Sequence, residues 1–311
     1  MEFLVEVNSA VYEISELVKS VSFTDKLNDG CSKLEFSFID DGLKIENGSV
    51  VRFIHEDIQF FGVVFKHGRN KKQEVTATAY DMLRYAKAKD TIMSKGETAT
   101  SLIKKMCNYL SLKTGKLTDT VYKLSTAPHD DKTWLDIIYS AIGETLTNKG
   151  KWYTLRDEYG SIVLRDIEEL KLDLVLGDES LCYDYEYEKS IDENFYNVVK
   201  LVSDNEATGK RDTYIVKDGK SISRYGILQF FEVLDKNGNP SQIKAKAGIL
   251  LSLYNREVES LTLKCLGDTR VRAGSSFYAS IEDIDINKRL IVRSVTHNLL
   301  PVHTMSLEVA I

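Results

Sequence analysis

Lys33-Leu34-Glu35-Phe36-Ser37-Phe38, Asn47-Gly48-Ser49-Val50-Val51-Arg52-Phe53, Phe60-Phe61-Gly62-Val63-Val64-Phe65 and Glu74-Val75-Thr76-Ala77-Thr78-Ala79 decide how this chain reads, because the same phrase returns near the other end. There it runs Ser260-Leu261-Thr262-Leu263-Lys264-Cys265, Ala273-Gly274-Ser275-Ser276-Phe277-Tyr278, Arg289-Leu290-Ile291-Val292-Arg293-Ser294 and Met305-Ser306-Leu307-Glu308-Val309. Leu34, Phe36 and Phe38 alternate with Glu35 and Ser37, the period of a half-buried strand. Each copy is four short strands with a Gly-Ser lead-in to the second. Two similar β modules in one chain point to pseudo-symmetry, which suits rings and tubes better than a single catalytic pocket.

Between the copies the period changes. Tyr80 to Ala88 reads as a short helix. Thr98 can cap a helix that puts Leu102, Ile103, Met106 and Leu110 on one face. Asp130 or Asp131 can cap a second, with Trp134, Ile137, Ile138, Ala141 and Ile142 inward and Gly150 beyond its end. A hairpin follows, Trp152 to Arg156 and Ile162 to Arg165 around Glu158-Tyr159-Gly160. From 181 strands resume: Leu181, Tyr183, Tyr185 and Tyr187 take one face, Cys182, Asp184, Glu186 and Glu188 the other. Asn197 to Ser203 and Asp212 to Val216 continue them, and Ser241 to Asn255 interrupts as a helix. The expected fold class is α+β, mainly β. The expected domains are a β-barrel over 1–88, an α+β domain over 89–180, a second β-barrel over 181–222 and 256–311, and a small helical insertion over 223–255. The Asp40-Asp41-Gly42 turn is one of several Gly-containing breaks between the strands of the first copy.

The chain has 311 residues, 43% of them hydrophobic and 28% charged, as in ordinary soluble globular proteins. Forty-one basic against 47 acidic residues give a net charge of −6, which excludes a general nucleic-acid binder that would need a basic face to displace counterions. Cys31, Cys107, Cys182 and Cys265 have no C-x-x-C spacing and are expected as reduced thiols. Met1-Glu2-Phe3-Leu4-Val5 opens no signal peptide, and no apolar run approaches a membrane span.

The histidines form no metal motif. His55 and His67 stand alone; His297 and His303, six apart, can share a metal, but a hydrogen bond at a strand end is the better account. His129-Asp130-Asp131 reads as a helix N-cap with acids on the positive end of the dipole rather than a catalytic pair. Glu282-Asp283-Ile284-Asp285 lacks the glycine of a calcium loop and reads as a charged strand edge. Gly219-Lys220-Ser221 lacks the upstream glycine of a phosphate loop. Tyr183, Tyr185 and Tyr187 can stack on a sugar or pack on a neighbouring domain. Asn47-Gly48-Ser49 fits a glycosylation acceptor, without weight in the absence of a secretion signal. No catalytic, cofactor-binding or metal residues are assigned, and no enzyme or cofactor is expected.

Five phrases taken in order carry a resemblance: Ala79-Tyr80-Asp81-Met82-Leu83-Arg84-Tyr85 with Lys89-Asp90-Thr91; Tyr196-Asn197-Val198-Val199; Ile222-Ser223-Arg224-Tyr225-Gly226; Leu266-Gly267-Asp268 with Ala273-Gly274; and His303-Thr304-Met305-Ser306-Leu307. Their order and spacing resemble the baseplate hub proteins of contractile phage tails, of the Gram-positive prophage type also found in R-type bacteriocins, over essentially the whole chain. The resemblance implies two tail-tube-like barrels per subunit and a homotrimer between the sixfold tail tube and the threefold central spike. Its implied partners are the tail tube protein, the spike protein, baseplate wedge proteins and other tail proteins. It also implies assembly in the host bacterial cytoplasm and residence in the baseplate of a phage or tail-like particle after release. It supplies no catalytic residues. Some larger relatives carry a fused spike or cell-wall hydrolase; this chain ends at Ile311, after its last strand, so neither is expected. The alternative readings are a tail-associated peptidoglycan hydrolase or peptidase with 89–180 catalytic, and a carbohydrate-binding adhesin using the tyrosine strand.

Overall fold

Phe3, Val5 and Val7 alternate with the less buried Leu4 and Glu6, and Val21, Phe23 and Asp25 with Ser22 and Thr24, and each set is buried on one side of a strand. These strands, Glu2–Val7 and Val18–Lys26, precede the four quoted for the first copy and complete a six-strand unit. In the computed structural model, which describes residues 1–40, 42–205, 210–234 and 239–311, its order across the sheet is Val18–Lys26, Lys33–Ile39, Glu74–Asp81, Ile58–Arg69, Val50–His55, Glu2–Val7. Asp41, in the turn at Asp40-Asp41-Gly42, and residues 235–238, in the expected 223–255 insertion, lie outside the described residues.

The second copy repeats that order with Cys182–Ser190, Val258–Leu266, Thr304–Ala310, Ile286–Asn298, Ser276–Ile281 and Lys171–Gly177. One pairing differs: Glu2–Val7 runs antiparallel to its neighbour, whereas Lys171–Gly177 runs parallel to Ser276–Ile281. The copies are joined edge to edge, Ser294–Asn298 pairing antiparallel with Lys26–Ser22, so one 13-stranded sheet runs through both. Phe3, Phe23, Phe36, Phe38, Phe53 and Phe60 fill the core of the first copy. Phe3 meets Phe36 and Phe53 at ring-centroid distances of 4.6 and 5.1 Å.

Between the copies α1 (Ala99–Tyr109) and α2 (Trp134–Lys149) pack on the Tyr153–Glu158 and Ser161–Asp166 hairpin, with Leu102, Ile103, Met106, Trp134, Ile137 and Ile138 buried between them. Thr98 caps α1, and Gly150, at φ +66°, ends α2. The expected cap of α2 at Asp130 or Asp131 is corrected: Thr133 is the N-cap and forms a capping box with Asp136. The chain stays extended through Ala127–Thr133, pairing with Lys89–Ser94 across a bulge between His129 and Lys132.

The chain forms two compact units, Met1–Glu186 with Leu261–Ile311, and Tyr187–Ser260. The second is wider than the 223–255 helical insertion read from the sequence. Val198–Asn205 and Lys210–Lys217, which that reading gave to the second copy, pair with each other and with Gln229–Leu234 in a separate three-stranded sheet. Local closure explains this: a hairpin and one short crossover bring these strands together. The helix α4 (Pro240–Tyr254) then covers one face, burying Val199, Leu201, Ile243 and Ala247, while the short helix α3 (Gly219–Tyr225) lies in the crossover.

Candidate functional site: the junction of the two repeats

The Gly-Ser lead-ins are the same structure built twice. Gly48 and Gly274 both have positive φ, +97° and +86°. Gly48 N donates to Val64 O at 2.8 Å and Gly274 N to Val292 O at 2.9 Å. Val64 N returns to Ser49 O and Val292 N to Ser275 O, both at 2.9 Å. The Ser49 hydroxyl accepts from Glu46 N at 3.1 Å, and the Ser275 hydroxyl from Arg272 N at 3.3 Å. The long strands that follow bulge at matching places, between Val64 and Lys66 and between Val292 and Ser294.

Where the repeats meet, the buried groups are charged. Arg272 Nε donates to Asp25 Oδ2 at 2.8 Å, Ser32 Oγ donates to Asp25 Oδ1 at 2.9 Å, and Arg272 Nη1 reaches Asp157 O at 3.2 Å. Burial alone would raise the Asp25 carboxyl; the Arg272 charge and hydrogen bond, helped by Arg156 and Ser32, hold it below its usual value. Asp81 and Asp157 lie close by. Burial and the Asp157 charge push Asp81 up, and burial pushes Asp157 up to about 6. Both still serve the backbone: Asp81 accepts from Ser32 N at 2.8 Å and Leu83 N at 3.0 Å, and Asp157 from Met82 N at 3.2 Å. This ties the first repeat, the α+β segment and the second repeat together through paired polar groups.

His297 and His303 meet, as the spacing allowed, in a hydrogen bond: His297 Nδ1 lies 2.9 Å from His303 Nε2 and His297 Nε2 lies 2.8 Å from Val271 O. Only an N–H can face the carbonyl, so His297 carries its proton on Nε2 and accepts from His303 through Nδ1. Burial, with the neighbouring His303 charge, depresses His297 to about 4 despite the carbonyl. The His55 ring stands edge-on to His303 at 6.1 Å. Among the described residues no group of three or more His, Cys, Asp or Glu is arranged to hold a metal.

The other candidates scatter. His67 Nδ1 faces Asn47 Oδ1 at 3.1 Å, beside the first lead-in, and His129 Nε2 faces Ser94 Oγ at 3.3 Å. Asp130 accepts from Thr91 Oγ1 at 2.7 Å and Asp131 binds Lys89 at 2.9 Å, so both tie strands rather than cap a helix. Glu282–Ile284 is a 3-10 turn between Ser276–Ile281 and Ile286–Asn298, not a strand edge. Gly219 opens α3, with Asp218 capping it. The tyrosine strand does not hold the expected alternation. Cys182 is half-buried beside Cys265 while Tyr183 is 61% exposed, and the inward face resumes at Tyr185 and Tyr187. Tyr187 Oη donates to Glu259 at 2.9 Å.

An open cleft of about 490 Å³ lies beside the junction, lined by Asp57, Arg156, Glu158, Tyr159, Arg270 and Arg272 among others. Its arginines are paired, Arg156 with Glu158 at 2.6 Å, Arg270 with Asp268 at 2.5 Å and Arg272 with Asp25 at 2.8 Å. The cleft sets no nucleophile beside a base and an orienting group. The Asp25–Arg272 tie was missed from sequence; its partners are too far apart in the chain for any spacing rule to link them.

The recurring phrases are contact points of this architecture. Asn197 Nδ2 donates to Gly226 O at 2.7 Å while its Oδ1 accepts from Leu228 N at 2.9 Å, joining two of them. Gly267 faces the His303 ring, which a Cβ there would overlap. Solved phage tail proteins share this fold. The 43 kDa tail protein of prophage MuSo2 from Shewanella oneidensis superposes with a TM-score of 0.71 at 11% identity, covering 100% of this chain and 98% of that one. The E. coli c3393 protein, described as a type VI secretion component with structural similarity to T4 tail proteins gp27 and gp5, superposes at 0.55 and 10% identity, covering 94% of this chain and 73% of that one. The resemblance to baseplate hub proteins therefore holds at the level of the fold. The chain belongs to the YQBQ-like family, whose profile matches residues 21–310. The phage-like element PBSX protein XkdQ of Bacillus subtilis (strain 168) is 27% identical over 271 residues, 85% of this chain and 82% of that protein. Among the described residues no helix is long and apolar enough to cross a membrane.

Proposed function

We propose that this chain is the structural hub of a contractile phage tail or tail-like baseplate, a homotrimer joining a sixfold tube to a threefold spike. The observation that carries the reading is the repeated six-strand order with its duplicated Gly-Ser lead-in. Two like modules per chain let three chains offer six similar surfaces to the tube while presenting three subunits to the spike. In this reading 1–88 and the second copy are the tube-like barrels. The α+β segment and the Tyr187–Ser260 unit then face spike, wedge or other tail proteins. The similarity to XkdQ, a phage-like element protein, and the tail-protein fold support the reading. In this reading the chain assembles in the host cytoplasm and works in the particle baseplate. The role is mechanical, with no catalysis, cofactor or specific nucleic-acid contact. Imaging of particles built with this chain tests it: three copies at the tail tip are expected, and six copies or one would overturn the symmetry argument.

A further inference from the structure

The repeat predicts a contact that a single chain cannot make. Within the chain, the second copy's long strand outruns its Ser276–Ile281 partner, and Ser294–Asn298 of that overhang is covered by Lys26–Ser22 of the first copy. Val295 and His297 are fully buried there. The first copy's long strand has the same overhang. Ile58–Val63 pairs with Val50–His55, but no described strand covers that side of Lys66–Arg69. Matching the bulges sets Lys66, Gly68 and Arg69 on the positions of Ser294, Thr296 and His297. Lys66, His67 and Arg69 are exposed.

The counterpart of the covering strand is also open. Val18–Lys26 corresponds to Cys182–Ser190, which ends the sheet's strand order. The side chains fix the alignment: Ser20 and Ser37 hydroxyls meet at 2.7 Å, and in the same places Asp184 meets Lys264 at 3.0 Å, with Lys189 and Glu259 meeting in the same register at 3.1 Å further along; Lys264 also reaches along the strand to Glu186 at 2.6 Å. Glu186 and Glu188 then stand where Ser22 and Thr24 stand.

We infer that Cys182–Ser190 of one chain adds as an antiparallel strand to Lys66–Asn70 of a second copy of this chain, reproducing between chains the pairing of Lys26–Ser22 with Ser294–Asn298. The inference rests on the hub reading for the number of chains, and names the surface that joins them. The occupant is a second copy because the junction to be copied already exists within the chain. The charges agree. Glu186 and Glu188 meet a segment that carries Lys66, Arg69, Lys71 and Lys72, with Lys189 opposite His67 the one mismatch; Glu186 shares Lys264 at 2.6 Å and Arg69 shares Asp40 at 2.9 Å within the chain, so Glu188 and Lys66 carry the new attraction. Both open edges are satisfied in one step. The contact is head-to-tail, so it excludes a face-to-face dimer and builds a ring when the rotation closes, at three chains in the hub reading.

Thr24 and Thr296 supply the test, because their hydroxyls lie 3.2 Å apart across the internal junction. Their counterparts are Glu188 and Gly68, and Gly68 has room for a side chain, with only Thr76 Oγ1 at 3.5 Å from a built Cβ. Particles assembled with a chain carrying both Gly68→Cys and Glu188→Cys are oxidised with copper phenanthroline and run without reductant. A thiol-reversible ladder of covalent dimer and trimer is expected, and neither single substitution should give it. Thr24→Cys with Thr296→Cys, which closes within one chain, is the control for oxidation. No ladder while that control closes, or a 68–188 bridge inside one chain, overturns the interface. A ladder closing at another number keeps the interface and defeats the trimeric hub; three copies by imaging without a ladder does the reverse. Charge reversal gives a second reading if the cysteine chain does not assemble. Lys66→Glu with Arg69→Glu should cut particle yield about tenfold, and adding Glu186→Lys with Glu188→Lys should restore it. Unchanged yield in the first variant, or failure of the second pair to restore it, also overturns the proposal.

Discussion

Gly48 and Gly274 perform the same turn in different surroundings, which separates backbone strain from crowding. A Cβ on Gly48 meets nothing within 4 Å, so Gly48→Ala is charged only with holding an L-residue at φ +97°, about 1–2 kcal/mol. A Cβ on Gly274 would sit 3.1 Å from Thr154 Cγ2 and 3.4 Å from Leu27 Cδ1, so Gly274→Ala should cost more. Denaturant unfolding of both variants reads the difference; equal losses would mean the α+β segment yields freely at this point. His297 gives the pH dependence. Its proton affinity is depressed by burial from 6.5 to about 4, so the unfolded chain binds a proton that the folded chain refuses. Stability is intact above pH 6.5 and falls as pH drops towards 4, by roughly 3 kcal/mol from this group. Asp81 and Asp157, pushed up by burial, act in the opposite sense over part of this range, so the difference between variant and parent isolates the histidine. His297→Gln should start less stable at pH 8 and lose less between pH 6.5 and 4. An unchanged acid slope would assign the effect elsewhere.

Among the elements, one buried ion pair ties the strands at the repeat junction to the second lead-in. Asp25 on the Val18–Lys26 strand and Arg272 before the second lead-in are both nearly out of water. Arg272→Met removes the cation and leaves the carboxylate buried, at a cost of about 3–5 kcal/mol. Adding Asp25→Asn removes the stranded charge and should recover part of that loss. Equilibrium unfolding of the single and double variants checks this, and additive losses would show the two groups to be uncoupled. The helices depend on more local devices. The Thr133–Asp136 box starts α2 where the extended Ala127–Thr133 segment stops, four residues after His129. That segment is why Asp130 and Asp131 serve the strand instead of the helix.

At the scale of the whole molecule, the repeat turns one folding solution into two, and the two copies then share an edge. An unpaired strand edge invites association, so a chain that buries one such edge internally and leaves the matching pair open is shaped for assembly with its own kind. The Tyr187–Ser260 unit begins within Cys182–Ser190 and ends within Val258–Leu266 and has no counterpart in the first copy, where Val18–Lys26 leads to Lys33–Ile39 through a short turn. The two modules are thus alike in sheet order and unlike in what they carry.

The sequence by itself determined the repeat, the mainly β class, the Gly-Ser lead-ins, the α1 cap at Thr98 and the hairpin at Tyr159-Gly160. All of these are written in short-range periodicity and turn chemistry, which act within a few residues. It also placed His297 and His303 close enough to bond. Only the tertiary structure decided which edges meet. The pairing of Lys26–Ser22 with Ser294–Asn298, the Asp25–Arg272 tie and the separate sheet of the Tyr187–Ser260 unit join residues with no sequence signal between them. Strand period fixes which face a side chain takes but not which edge finds which partner. That choice is made by burial of the whole sheet and by the charges that must be paired once water has left.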